Sequence, residues 1–163
     1  MMIRSATEAD AAGVLEIYAP IVVETAISFE LSPPTLAEIG ERIAQTLERG
    51  PWLIAEEEER CLGYAYAEVW RNRAAYQHTS ETAVYVAADR QRSGIARLLY
   101  RALFEELRLR GKRTLIAGIT LPNEASVRFH EAVGFRPVGV FSNVGFKFNR
   151  WHDVGFWEHD LDS

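Results

Sequence analysis

Apolar residues alternate with polar ones in some segments of the chain and recur every three or four positions in others. Three early runs are rich in β-branched and aromatic residues, which is typical of strands: WLIAEE at 52–57, CLGYAYAEVW at 61–70 and SETAVYV at 80–86. The first two flank a charged turn around Glu58, so they predict an antiparallel hairpin. Later strands are predicted at TLIAGI, 114–119, and around FRPVGVF and DVGFWEHDL.

Four segments show a helical period instead. They cover about 7–20, 35–50, 94–110 and 123–133. Thr7 is suited to cap the first helix, Thr35 and Glu38 predict a capping box at the start of the second, and Pro20 predicts the end of the first. Hairpin strands followed by strands that alternate with helices indicate an α/β (α+β) fold. We expect a mixed, mostly antiparallel sheet with helices on both faces, in a single domain over 1–163.

Composition narrows the function classes. The 163 residues include 48% hydrophobic and 25% charged residues, which is ordinary for a globular protein. The net charge of -5 argues against general nucleic-acid binding. Cys61 is the only cysteine and lies in an apolar strand run, so it is interpreted as a packing residue that forms no disulfide. No signal segment or long apolar run is evident, so we expect a cytoplasmic protein with no membrane partner.

The loop QRSGIA, 91–96, joins a predicted strand to a strongly amphipathic helix. The first amides of a helix are free and carry partial positive charge, which suits them to bind phosphate. Gly94 allows close approach, and the small Ala96 leaves room beside the loop. A plain strand-to-helix turn with a flexible glycine explains the spacing equally well. Neither GxGxxG nor GK[ST] is present, so dinucleotide-binding and Walker-type loops are not indicated.

Two titratable residues, Glu81 and His130, are candidates for proton transfer. Glu81 is one carboxylate in an apolar strand run, on the same face as Tyr85, where burial would raise its pKa and make it a useful base. A solvated strand residue is the alternative. Asn123, Ser126 and His130 lie along one stripe of the fourth helix and could line one cleft. Asn123 also suits an N-cap, and a lone histidine is often a packing residue.

Specific motifs resemble a known family. Gln91-x-x-Gly94-x-Ala96 resembles the Q/R-x-x-G-x-G/A signature of the GNAT N-acetyltransferases. The runs at 70–86, 121–135 and 145–157 are similar to those of the phosphinothricin and methionine-sulfoximine N-acetyltransferase branch. Asn149 stands where glycine is usual in that branch, and Ala96 replaces the commoner second glycine.

The resemblance implies a GNAT fold and acetyl-CoA as co-substrate, with no metal. It implies that neighbouring strands splay to admit the pantetheine arm, that Glu81 is the general base, and that His130 replaces the tyrosine that protonates the leaving thiolate in many GNAT enzymes. His130 could accept the amine proton or donate to the thiolate, and the sequence leaves both roles open. The implied cofactor-binding residues are Val84, Tyr85, Val86, Gln91, Arg92, Ser93, Gly94, Ile95, Ala96, Arg97, Asn123 and Ser126.

For the acceptor, the resemblance implies a small amino-acid analogue of the methionine sulfoximine, methionine sulfone or phosphinothricin type. The implied substrate-binding residues are Phe29, Glu30, Arg71, Arg73, Tyr76 and Lys147. The similar family forms homodimers, with which the aromatic run around Trp151 is consistent. Two alternatives remain: a protein or peptide N-terminal acetyltransferase, and a non-catalytic acetyl-CoA-binding module.

Overall fold

The computed structural model describes residues 1–162, which contain a seven-stranded sheet in the order β1-β2-β3-β4-β5-β7-β6. The strands are β1 (Met2–Ser5), β2 (Trp52–Glu57), β3 (Arg60–Val69), β4 (Thr79–Val86), β5 (Thr114–Leu121), β6 (Arg136–Lys147) and β7 (Arg150–Asp160). Neighbouring strands are antiparallel except β4 and β5, which are parallel. The predicted mixed, mostly antiparallel sheet is confirmed.

The helices cover the sheet on both faces, as predicted. They are α1 (Ala11–Glu24), α2 (Leu36–Arg49), α3 (Ile95–Leu109) and α4 (Glu124–Ala132). One hydrophobic core lies under α1 and α2, and a larger one lies under α3 on the opposite face. At the start of α2, Thr35 Oγ1 accepts from the Glu38 amide at 3.1 Å and Glu38 returns a bond to the Thr35 amide at 2.9 Å, forming the predicted capping box.

The first α-helix begins later than predicted, at Ala11 after a 3-10 turn over Glu8–Asp10 that Thr7 precedes, and it also ends later. It continues past Pro20 to Glu24, and the Thr25 amide still donates to the Ile21 carbonyl at 3.1 Å. Pro20 lies on the exposed side, where water can bond the carbonyl that its missing N–H leaves free. Val22, two residues later, is fully buried and anchors the last turn in the core. Burial of an apolar side chain therefore overrides the local breaker.

No helix among residues 1–162 has the length and apolar character needed to cross a bilayer. The single domain over 1–163 stays a prediction, and its last residue, Ser163, lies outside the described residues.

Candidate active site

A fork between β4 and β5 organises the site. Within the described residues, the two strands pair only where Thr79–Glu81 face Thr114–Ile116. Beyond that point β4 runs on to Val86 and β5 to Leu121 without bonding to each other. Backbone groups of β4 from Thr82 onward are thus left facing a gap, and the pairing ends at Glu81. The fork is the splay that the family resemblance implies, and no local sequence signal encodes it.

A cleft of about 690 Å³ extends from this fork between α1 and α4. Eight of the predicted site residues line it: Val84, Tyr85, Val86, Gln91, Ala96, Asn123, Ser126 and His130. The structure therefore brings together the end of β4, the loop and one stripe of α4. Asn123 caps α4, since its Oδ1 accepts from the Ser126 amide at 3.2 Å, which confirms the capping interpretation, while its contact with a cofactor stays a prediction.

The loop before α3 is shaped by its own contacts. Gln91 Nε2 donates to the Val86 carbonyl at 2.9 Å and ties the loop to the end of β4. Ser93 Oγ donates to the Arg90 carbonyl, so this hydroxyl is used within the loop. Gly94 is the N-cap of α3 with φ of 83°, the left-handed region that glycine adopts without strain. Ile95 is 4% exposed, so only its backbone is available to a ligand.

These residues fit a pyrophosphate group. The first intrahelical bond at this end runs from the Leu98 amide to the Gly94 carbonyl, so the amides of the preceding three residues have no partner in the helix. A Cβ at Gly94 would meet no atom within 4 Å, so the space beside these amides is open. Arg92 has no ion pair among residues 1–162, and Arg97 touches the Ala132 carbonyl at 3.4 Å. Free amides and guanidinium groups suit a polyanion.

Glu81 stands where the fork begins. It lies opposite Glu68 of β3 and beside Ile116 of β5 in the strand register. Partial burial, and then the nearby charge of Glu68, raises the pKa of the Glu81 carboxyl. The absence of a side chain at Gly118 leaves room beside this group, since a Cβ there would lie 3.6 Å from Glu81 Oε1. Glu81 is therefore a stronger base than an ordinary surface glutamate.

His130 is buried, with 6% of its surface exposed, and both its ring nitrogens have partners. Nδ1 lies 2.8 Å from the Ser126 carbonyl oxygen, which can only accept, so Nδ1 carries the proton. Nε2 lies 3.2 Å from the Tyr100 hydroxyl, which in turn lies 3.2 Å from Thr82 Oγ1. Burial lowers the pKa of His130. The neutral ring therefore presents Nε2 as an acceptor for Tyr100.

A second cavity, which we call the aromatic cavity, lies between α1, α2 and the face of β3 that also carries Glu68, opposite Glu81 of β4. It measures about 330 Å³ and is lined by Val14, Tyr18, Ile39, Arg42, Trp52, Tyr64, Tyr66 and Glu68. Glu30 adjoins it, because its carboxylate accepts from both terminal nitrogens of Arg42 at 2.9 and 2.6 Å and from the Tyr18 hydroxyl. This pairing lowers the pKa of Glu30. Glu30 thus orients Arg42 and Tyr18.

The remaining predicted acceptor residues are not assembled around Glu81. Arg71 and Arg73 line a separate groove with Lys112, Tyr76 is exposed near the same turn, and the Phe29 ring packs at Gly145. Lys147 is 3% exposed, and its Nζ donates to the Val22 and Ser28 carbonyls at 2.6 and 2.8 Å. The ammonium of Lys147 ties the end of α1 to the following loop, because carbonyls take the place that a substrate carboxylate would need.

Sequence reasoning missed the polar residues of the aromatic cavity and the Tyr100 partner of His130. Alternation in CLGYAYAEVW places Tyr64, Tyr66 and Glu68 on one face, and this was the available signal. The position of Glu68 opposite Glu81 depends on the register of β3 and β4, which is a tertiary property. Tyr100 was hidden in the apolar face of α3. Among the described residues, no group of three His, Cys, Asp or Glu side chains is placed to hold a metal ion.

Comparisons with known proteins agree with this geometry. Residues 3–155 match the acetyltransferase (GNAT) domain family. A phosphinothricin N-acetyltransferase of Streptomyces viridochromogenes is 39% identical over 98% of this chain and 87% of its own. An L-methionine sulfoximine/L-methionine sulfone acetyltransferase of Salmonella typhimurium is 36% identical over 100% of this chain and 96% of its own.

Among solved structures, a GNAT superfamily phosphinothricin acetyltransferase of Sinorhizobium meliloti in complex with acetyl-CoA superposes with a TM-score of 0.93. It is 32% identical, and the match covers 98% of this chain and 88% of that one. The fold, the matched domain and the relatives, which align over most of their length, all indicate the same family. The chain therefore belongs to the GNAT acetyltransferase family and is an acyltransferase.

Proposed function

We propose that the protein transfers the acetyl group of acetyl-CoA to the α-amine of a small amino-acid analogue, of the methionine sulfoximine, methionine sulfone or phosphinothricin type. The names of the two related acetyltransferases support this acceptor class, and the Sinorhizobium meliloti structure with bound acetyl-CoA supports acetyl-CoA as the donor. One structural observation carries the proposal: the β4–β5 pairing ends at Glu81. A carboxylate of raised pKa thus lies where the free backbone groups of β4 begin, three residues before Val84 of the cleft lining.

At the donor end, the amides that begin α3 and the guanidinium of Arg92 hold the pyrophosphate. The pantetheine arm follows the cleft past Asn123 and Ser126 to the open edge of β4 at 84–86. A main-chain amide of that edge donates to the thioester oxygen as negative charge develops there. The amides of β4 at 84–86 are available for this because, within the described residues, β4 and β5 stop pairing after Glu81 and Ile116.

Glu81 supplies the base. An α-ammonium group is not nucleophilic until it loses a proton, and Glu81 takes that proton directly or through one water. The freed amine attacks the thioester carbonyl, the C–S bond breaks with its electron pair going to sulfur, and the CoA thiolate takes up the proton that the new amide nitrogen loses. Burial and the charge of Glu68 raise the pKa of Glu81 and bring it nearer to neutrality, which strengthens it as an acceptor.

His130 contributes through Tyr100. The ring is neutral at neutral pH and its Nδ1 proton is held by the Ser126 carbonyl, so Nε2 accepts from the Tyr100 hydroxyl. A neutral ring with this tautomer has no proton to give from Nε2. Of the two roles considered for His130, proton acceptance is therefore the one that the arrangement favours.

The proposal extends to a homodimer formed through β6 and β7. More than half of each of seven large apolar side chains there is exposed: Val138, Val140, Phe141, Val144, Phe146, Phe148 and Trp151. So many exposed large apolar side chains on one hairpin are typical of an interface. Light scattering on the wild type and on Trp151→Glu tests it. A dimer that becomes a monomer in the variant is expected, and a monomeric wild type at micromolar concentration would refute it.

The decisive experiment is CoA thiol release from acetyl-CoA at fixed pH. The panel comprises methionine sulfoximine, methionine sulfone, phosphinothricin, ordinary amino acids, a polyamine and a short peptide. We expect the fastest release with the amino-acid analogues. Turnover of the peptide alone would instead identify the protein as a protein or peptide N-terminal acetyltransferase. Tight acetyl-CoA binding without release from any amine would indicate a non-catalytic module.

A further inference from the structure

One of the residues that line the aromatic cavity has a buried donor without a partner. Trp52 lines the cavity and is 3% exposed, and its indole Nε1 has no hydrogen-bond partner among the described residues. Buried N–H groups are almost always paired in folded proteins. The neighbouring rings of Tyr64 and Tyr66 stack on Trp52 with centroid distances of 5.6 and 4.3 Å, so the wall around this donor is apolar. A ligand that brings an oxygen atom into the cavity would satisfy the N–H.

The mouth of the cavity carries an excess of negative charge. Glu68 is exposed there and has no ion pair among residues 1–162. Arg42, the cation of the same cavity, is held by both oxygens of Glu30, which also accepts from Tyr18. Glu81 faces Glu68 from β4. Glu68 and Glu81 therefore have no ion pair within the described residues, whereas the charges of Arg42 and Glu30 cancel each other.

We propose that the aromatic cavity receives the side chain of the acceptor, and that Glu68 makes it select a neutral, oxygen-bearing head over an anionic one. This inference rests on the proposed function and refines its acceptor. An amino acid with its side chain in the cavity has its α-amine near Glu81, because Glu68 and Glu81 lie opposite each other. The methylene groups pack on Tyr64 and Tyr66. A sulfone or sulfoximine oxygen accepts from Trp52 Nε1, whereas Glu68 repels a phosphinate.

Three acceptors separate these contributions. Methionine sulfone and phosphinothricin share the amino-acid backbone but differ in the charge of the head, and methionine lacks the oxygens. We expect wild type to prefer the sulfone in kcat/KM. In Glu68→Gln the ratio of phosphinothricin to sulfone should rise about fivefold, as expected for removing one charge at contact range in a partly hydrated site. Glu105→Gln is the matched control, since it removes one exposed carboxylate of α3 that lines neither cavity.

The indole donor is tested with Trp52→Phe, which keeps an aromatic ring. It should lower kcat/KM for the sulfone about two- to tenfold more than kcat/KM for methionine, the usual range for one neutral hydrogen bond. Equal losses on both acceptors would give Trp52 a structural role only. If the variant does not fold, Glu68→Gln decides alone. An unchanged ratio in Glu68→Gln, with an active wild type, overturns this inference and leaves the proposed function standing, whereas no turnover of any amine overturns both.

Discussion

Two glycines at opposite ends of α3 form a matched pair for testing the cofactor loop. Gly94 precedes the helix with φ of 83°, and Gly111 follows it with φ of 73°. A Cβ at either position would meet no atom within 4 Å. Alanine at either site therefore brings backbone strain without a clash. We expect each variant to lose roughly 1 kcal/mol of stability. For a chain of this size, that corresponds to about 2–4 °C in Tm.

The two variants should differ in cofactor binding. Only at Gly94 does the open space adjoin the free amides of α3, so only there would a methyl group meet the pyrophosphate. Displacing the phosphate from one such amide removes a hydrogen bond to a charged group, about 1.5–3 kcal/mol. The Kd for acetyl-CoA should then rise roughly ten- to a hundredfold in Gly94→Ala.

Isothermal titration with acetyl-CoA and thermal unfolding of the unliganded protein measure the two effects separately. We expect similar Tm values for Gly94→Ala and Gly111→Ala, with weakened binding in the first alone. Wild-type affinity in Gly94→Ala would show that the pyrophosphate does not lie at this loop. Equal losses of affinity in both variants would show that strain in α3, transmitted to the cleft, is the cause.

The remaining predictions concern the base and a buried cation. Glu81→Gln should lower kcat at least about a hundredfold with the acetyl-CoA Kd nearly unchanged, and an unchanged kcat from pH 6 to 9 would remove Glu81 as the base. Because burial and Glu68 raise the Glu81 pKa, kcat/KM should fall as pH drops through a value above that of a free glutamate, and Glu68→Gln should move this limb to lower pH. Lys147→Met should cost about 2–4 kcal/mol in urea unfolding, because it leaves two buried carbonyls without their donor; an unchanged midpoint would contradict the tie between α1 and the loop.

The sequence was sufficient where a local period or a cap decides the structure. Alternation predicts β2, β3 and β4, and the Thr35 and Glu38 pair predicts the start of α2. The loop before α3 was predicted for the same reason, because a glycine ahead of an amphipathic run is a local signal, and Gly94 is found at the N-cap of α3.

Features that depend on how distant segments meet were not predictable. The β4–β5 fork, the register that sets Glu68 against Glu81, and the burial of Lys147 all follow from packing across the sheet. Lys147 shows the point well. A lysine in a polar and aromatic run reads as a surface or ligand-binding cation, yet the tight turn between β6 and β7 leaves its ammonium among carbonyls at the end of α1.

His130 gives a test of the buried polar chain that needs no substrate. Burial lowers its pKa in the folded protein, whereas the unfolded chain titrates near about 6.5. Between these two values the unfolded state binds more protons, so stability is fully present above about pH 6.5 and is lost as pH falls through the folded pKa. Asparagine at this position cannot titrate, so urea unfolding at pH 7, 6 and 5 should show a shallower loss for His130→Asn than for wild type.

The pH dependence of stability in wild type and in His130→Asn also indicates the protonation state of His130 in the folded protein. A steeper loss in wild type means that the neutral ring, with Nε2 facing Tyr100, is the state that the fold selects. Parallel slopes for the two proteins would mean that His130 takes up a proton in the folded state as readily as in the unfolded one. Nε2 could then donate to a thiolate, and the role of His130 would change from acceptor to acid. The stability measurement thus shows which protonation state of His130 the fold selects, and that state limits which of the two proposed roles His130 can take.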